Sequence, residues 1–244
     1  MILLGMTTFA VASCSKSDSS PSVSEEDAAD VVGTYVSSDF SSSTSDAAGI
    51  STDTGNKANR VMYGGRSESS PCGVTYDSTL SRSGMIGTII NYSYQLSYGY
   101  TLTCSGAIPS SLGVDLSSTG TYSGPRVSST GSGAGTWTIT GFGSPTVYSL
   151  NGSYTKTETI TQKTGAQKNF TCNLVLTSSN VTVDKSTKKL TGGTISYVMT
   201  GAITGGSSFS FAGTITFLGD ESASITVGSS TYTVSLSAGT ITKS

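Results

Sequence analysis

The chain has 244 residues, among them 48 Ser, 38 Thr and 30 Gly, and only 11% are charged. A formal net charge of −2 excludes the electrostatic footprint of a nucleic-acid or anionic-membrane binder. The lack of any histidine excludes Ser–His and Cys–His dyads and removes the commonest metal ligand and general base.

In chain order, the first feature is the apolar run Ile2 to Val11, which ends in small residues before a cysteine. That length suits the hydrophobic part of a signal peptide and falls short of the roughly 20 residues a membrane-spanning helix needs. The tetrapeptide Val11-Ala12-Ser13-Cys14 resembles the bacterial lipobox. The resemblance implies a signal peptide over residues 1–13, cleavage before Cys14 and lipidation of that thiol. No Lys or Arg precedes Cys14, so Met1 would then be a late start; an ordinary secretory signal is the alternative.

Residues 14–59 read as a flexible, Ser-rich tether. Thirteen of the 45 residues from Ser15 to Asn59 are Ser, and such a stretch buries too little apolar surface to offset its ordering entropy. Within it, Glu25, Glu26 and Asp27 read as solvated charge in a disordered arm rather than a metal cluster, and Asp30 to Tyr35 as a short first strand.

From residue 60 to 244 the apolar period is two almost throughout, as in antiparallel strands with one buried and one wet face. The fold class expected is all-β: an elongated antiparallel meander or β-sandwich, with a possible subdivision near residue 143. "NYSYQLSYGYTLTC" puts Tyr92, Tyr94, Leu96, Tyr98, Tyr100, Leu102 and Cys104 on one face. A strand of that length makes the sheet tall, unless the run bends at a bulge near Gly99. A core face is the default for the tyrosine row. An exposed ladder for sugar rings and one wall of a transmembrane barrel are the rivals. Later runs are separated by turn signals: "DKSTKK" (184–189), "TGG" (191–193), "TGGSS" (204–208), "LGDES" (218–222) and "VGSS" (227–230), as in short-loop hairpins.

With Cys14 lipidated, Cys72, Cys104 and Cys172 remain. Cys72 with Cys104 is the preferred disulfide, as the pair nearest in sequence, and Cys172 reads as a buried thiol. The lysines read as residues of turns and tails. No zinc, calcium, phosphate-loop or dinucleotide motif occurs, and acids beyond the tether are few. No enzyme activity, cofactor or metal is therefore expected.

The final 90 or so residues, "SLNGSYTKTETIT" through "GSSTYTVSL", together with the lipobox, look like the Thr- and Gly-rich β-strand surface lipoproteins of Bacteroidota. That resemblance implies location and fold and transfers no site residue. The function expected is that of an exported protein anchored by its lipid to the outer membrane or cell surface, with a structural or adhesive role toward a glycan or surface-protein partner. One alternative is a carbohydrate-binding module using Trp137 and any exposed Tyr92, Tyr94, Tyr98 or Tyr100. The other is a small barrel holding an apolar ligand, since "GTY" and "GTW" resemble the Gly-x-Trp that opens lipocalin barrels.

Overall fold

The computed structural model describes residues 22–63, 70–86, 90–164 and 167–244; Cys14 and the signal segment lie outside the described residues. The architecture is a single 11-stranded antiparallel meander in which every strand neighbours the next in sequence. The strands are β1 (Thr75–Ile86), β2 (Ile90–Ser105), β3 (Ile108–Ser123), β4 (Val127–Thr140), β5 (Val147–Gln162), β6 (Asn169–Asp184), β7 (Leu190–Ile203), β8 (Ser208–Gly219), β9 (Ser222–Val227), β10 (Ser230–Ser235) and β11 (Ile241–Lys243). No break falls near residue 143, because β4 and β5 pair continuously across that hairpin.

The tether is the main expectation overturned, for its described residues 22–59. Residues from Glu25 onward form a continuous helix: α1 (Glu25–Tyr35), a π-helical stretch at Val36–Phe40, and α2 (Ser41–Tyr63). Asp30 to Tyr35 is therefore helical, not a strand, and the sheet begins at Thr75 rather than residue 60. Ser24 closes a capping box with Asp27, and Glu25, Glu26 and Asp27 occupy the first turn, where negative charge opposes the positive end of the helix dipole. The Ser and Thr hydroxyls are satisfied within the helix. Ser38 donates to the Thr34 carbonyl at 2.7 Å, Thr44 to Phe40 at 2.9 Å, Ser51 to Ala47 at 2.9 Å and Thr54 to Ile50 at 2.6 Å. Back-bonding of this kind lets a polar-looking segment be buried without orphaned hydroxyls.

And buried it is. Every residue from Ala28 to Ser38 is shielded from solvent, including Asp30, Thr34, Ser37 and Ser38. A helix buried on all sides requires a wall on all sides, and the sheet supplies it by rolling around the helix. α1 packs on β9, β10 and β11, while α2 packs on β3, β6 and β7. Near the N-terminal rim, Ile90, Tyr122 and Val127 of β2 to β4 face Thr240 and Ile241 across a cavity of about 150 Å³, so β11 comes round to that side of the sheet without pairing with it. A small barrel is filled by its own side chains, but a wider one leaves a lumen. Eleven strands leave room that only a helix of small residues fits.

Along the strands, inward residues are mostly apolar or aromatic and outward ones mostly Ser and Thr, with Val175, Val198 and Leu218 among the exposed exceptions. An outer wall of that kind is not the apolar band of a transmembrane barrel. β2 runs 16 residues without a kink at Gly99; its register shift falls at Thr103/Cys104. "TGG" at 191–193 is no hairpin turn but part of β7, opposite an irregular register between Ser179 and Val183.

Candidate functional site

The hairpin turns and the helix ends define two rims. At the N-terminal rim the acidic first turn is paired with residues of the sheet's turns, although Glu26 stays exposed to solvent. Arg126, after β3, donates from Nε to Asp30 at 2.7 Å and from Nη2 to Glu26 at 2.5 Å. Gln162 and Lys168 hold Asp27, and the Ser229 backbone N–H donates to Glu25 at 3.1 Å. Burial pushes the Asp30 carboxyl up to about 6 although Arg126 opposes the shift. At the opposite rim, Lys188 donates to Thr52 of α2 at 2.7 Å, and the Lys185 ammonium lies 4.4 Å from the Tyr148 ring centroid. These turn residues clamp both ends of the helix.

Midway along the lumen lies a charged cluster that sequence reasoning missed. β5 sends Tyr154, Lys156, Glu158 and Ile160 inward. Lys156 Nζ contacts Asp39 Oδ2 of the π-helical stretch and lies 2.8 Å from Glu158 Oε1. Lys156 and Glu158 are both buried, 7% and 4% exposed. Burial pushes the Lys156 ammonium down, but the facing carboxylates of Asp39 and Glu158 more than reverse this, so it sits above its usual value. Tyr35 and Tyr154 stack at 5.8 Å beside it, and the ammonium is 5.3 Å from the Tyr35 centroid. Tyr154 shares a 2.5 Å hydrogen bond with Ser118, and burial pushes its phenol to about 12.

The space for this cluster is made by β4, whose inward row reads Gly131, Gly133, Gly135 before Trp137. A Cβ at Gly131 would sit 2.7 Å from Glu158 Cγ, and one at Gly133 would sit 2.5 Å from Tyr154 Cζ. The alternating glycines in "TGSGAGTW" and the common parity of Tyr154, Lys156 and Glu158 were the available signals. π-helical turns occur frequently at functional sites, and this one presents Asp39 to the cluster.

The residues singled out by sequence fall elsewhere. Tyr92, Tyr94, Tyr98 and Tyr100 all face the lumen side. Tyr94 and Tyr98 are buried, and Tyr92 and Tyr100 are half-buried. Burial pushes the Tyr94 phenol up to about 12 and that of Tyr98 further still. Tyr92 stacks on Tyr94 at 5.7 Å, and Tyr100 on Tyr76 at 5.5 Å. Trp137 is 2% exposed, with its ring edge-on to Phe40 at 5.8 Å. It offers no face to a sugar, which removes the glycan platform built on it. Cys72 and Cys104 are disulfide-bonded, with Cα atoms 5.7 Å apart, and Cys172 is a buried free thiol raised to about 12 by burial.

A groove of about 450 Å³ runs beside the start of α2, between Arg82, Tyr92 and Tyr94 on one wall and Leu190, Glu221 and Leu236 on the other. Of its charges all but Lys188, which donates to Thr52, are spent in ion pairs. Arg82 pairs with Asp46 at 2.7 Å, and Lys189 pairs with Glu221. Among the described residues there is no cluster of metal-ligating side chains, and no helix is long and apolar enough to cross a membrane. No protein-family model, curated protein or solved structure matches this chain.

Proposed function

We propose that the protein is exported, anchored to the outer membrane or cell surface through a lipid on Cys14, and serves there as a structural or adhesive module. The observation that carries this reading is the division between inside and outside. The lumen is occupied by the chain's own helix, with Val32, Tyr35, Val36 and Phe40 in the core. What remains for a partner is the outer wall of Ser and Thr and the two rims. The Cys72–Cys104 disulfide supports an oxidising compartment outside the cytosol. A lipocalin-like carrier would need an empty apolar lumen, which the helix takes up.

Metabolic labelling of the expressing bacterium with a radioactive fatty acid tests the anchor, and protease shaving of intact cells tests the display. The expected result is a labelled, shaved wild-type protein and an unlabelled Cys14→Ala variant released from the membrane fraction. An unlabelled wild-type protein with reduced Cys72 and Cys104 in the cytosolic fraction would overturn the reading. For the adhesive role, cells displaying the chain should aggregate or bind glycan-coated surfaces more than cells producing Cys14→Ala, and equal binding would remove it.

A further inference from the structure

The Lys156, Asp39 and Glu158 cluster has an arrangement that an ion pair alone does not need. An amine lies against one carboxyl, which is its potential acyl donor, and a second carboxyl touches the same nitrogen from its own strand, two residues along. The two reacting partners come from different elements, the π-helical stretch and β5, 117 residues apart in sequence. The site is walled by Tyr35 and Tyr154 and roofed by the glycine row of β4. Water, which would reverse amide formation, is excluded from Lys156 and Glu158, while the Asp39 side chain keeps 19% exposure, a path by which the released water leaves.

We infer that Lys156 and Asp39 condense into an intramolecular isopeptide bond that fastens the central helix to the wall of the sheet, with Glu158 carrying the protons. The reaction proceeds from the minor state in which the Lys156 ammonium, which the two carboxylates otherwise hold protonated, has passed a proton to Asp39, giving a neutral amine and a carboxylic acid. The Nζ lone pair attacks Asp39 Cγ and a C–N bond forms. Glu158 accepts a proton from the attacking nitrogen and returns it to the departing hydroxyl. The C–O bond breaks, one water leaves, and a secondary amide remains. Ammonium plus carboxylate becomes amide plus water, so no oxidant, metal or outside reagent is required. Two carboxyls serve one amine, so Glu158 is still present as a proton carrier after Asp39 is consumed.

The driving forces come from the fold. Holding the reacting groups in contact replaces an encounter between free molecules, and such preorganisation reaches effective concentrations of about 10⁵–10⁸ M. The bond also removes an ammonium and a carboxylate from a dry lumen, where an ion pair recovers its desolvation cost only with excellent geometry. This inference does not depend on the surface role proposed above.

Intact-mass spectrometry of the folded wild-type chain is the test. The expected mass is that of the processed sequence with its disulfide, less one water. Tryptic digestion should fail to cut after Lys156 and should yield a branched peptide joining the segments that contain Lys156 and Asp39. Lys156→Arg, which keeps the charge, should restore the full mass, as should Asp39→Ala. Glu158→Gln should slow the condensation by about 10²-fold or more, the usual worth of a positioned proton carrier; condensation at the wild-type rate would overturn that role. A folded wild-type protein of full mass would overturn the bond itself. So would a water loss found in a linear peptide, as from an aspartyl succinimide.

Discussion

Asp30 shows how far the environment of a single side chain departs from its sequence context. Its neighbours in "EEDAAD" suggest solvent, yet the carboxyl is buried against Arg126 and is pushed up to about 6, chiefly by burial. A carboxyl raised in the folded state binds its proton more tightly there than in the unfolded chain. Its contribution to stability is therefore complete below the unfolded value near 3.8 and is lost as pH rises through about 6. Asp30→Asn should flatten that part of the profile, and thermal melts of both proteins between about pH 4 and pH 7 would check it. A steeper profile in the variant would contradict the assignment. Gly133 makes the same point through absence. A Cβ there would meet Tyr154 Cζ at 2.5 Å and the Thr155 carbonyl at 2.9 Å, and neither the ring, bonded to Ser118, nor the backbone can withdraw freely. Gly133→Ala should cost about 1–3 kcal/mol, the range for overpacked cores, read as a lower denaturant midpoint at unchanged slope.

Among the elements, the strands were legible in sequence and the helix was not. The alternation of Tyr94, Leu96 and Tyr98, or of Phe170, Cys172 and Leu174, places each inward face correctly because the period of two is a property of the backbone. The helix carries no comparable signal. Its buried residues are largely Ala, Ser, Thr and Gly, and a helix buried on every side has no polar face to set against an apolar one. Low hydropathy then reads as disorder, because neither the i−4 hydrogen bonds of its hydroxyls nor the partners at the rims are visible in a local window. Lys156 was misread for a related reason: the lysines were expected on turns and tails, and only Asp39, from a segment assigned to the tether, explains its inward parity. The disulfide acts at the level of β1 and β2. It closes a loop of 32 residues and ties the chain leaving the helix to the strand on which Leu102 lies. Reduction should lower stability by about 3–4 kcal/mol on the chain-entropy relation, measured as the shift of the urea midpoint with and without reductant. No shift would mean that the unfolded chain is already constrained.

For the whole molecule, helix and sheet form one core rather than a domain with an appendage. Phe40 stacks on Phe217 at 5.7 Å while meeting Trp137 edge-on, so one helical ring joins β4 to β8. A chain beginning at Pro71 retains every strand but should leave Leu174, Ile195 and Ile225 facing an empty lumen. It is expected to show no cooperative thermal transition and to bind a hydrophobic dye. A sharp transition would show that the sheet closes on itself without the helix. The Ser- and Thr-rich outer wall was foreseeable from composition; its curvature is carried only by the barrel alternatives, and the helix that fills it reads as tether.

The position of that helix at the start of the chain has a consequence for how the molecule comes into being. Among the described elements the helix is made before every strand, and its partners arrive late: Asp30 waits for Arg126, 96 residues later, and Glu25 for Ser229, 204 residues later. Each hairpin can zip onto its predecessor as it emerges, but the helix, short of apolar surface, has little reason to hold its shape alone. Contacts of such sequence separation are slow to form. The core is therefore closed only once the final strands exist, so the segment made before the sheet is the last to be enclosed.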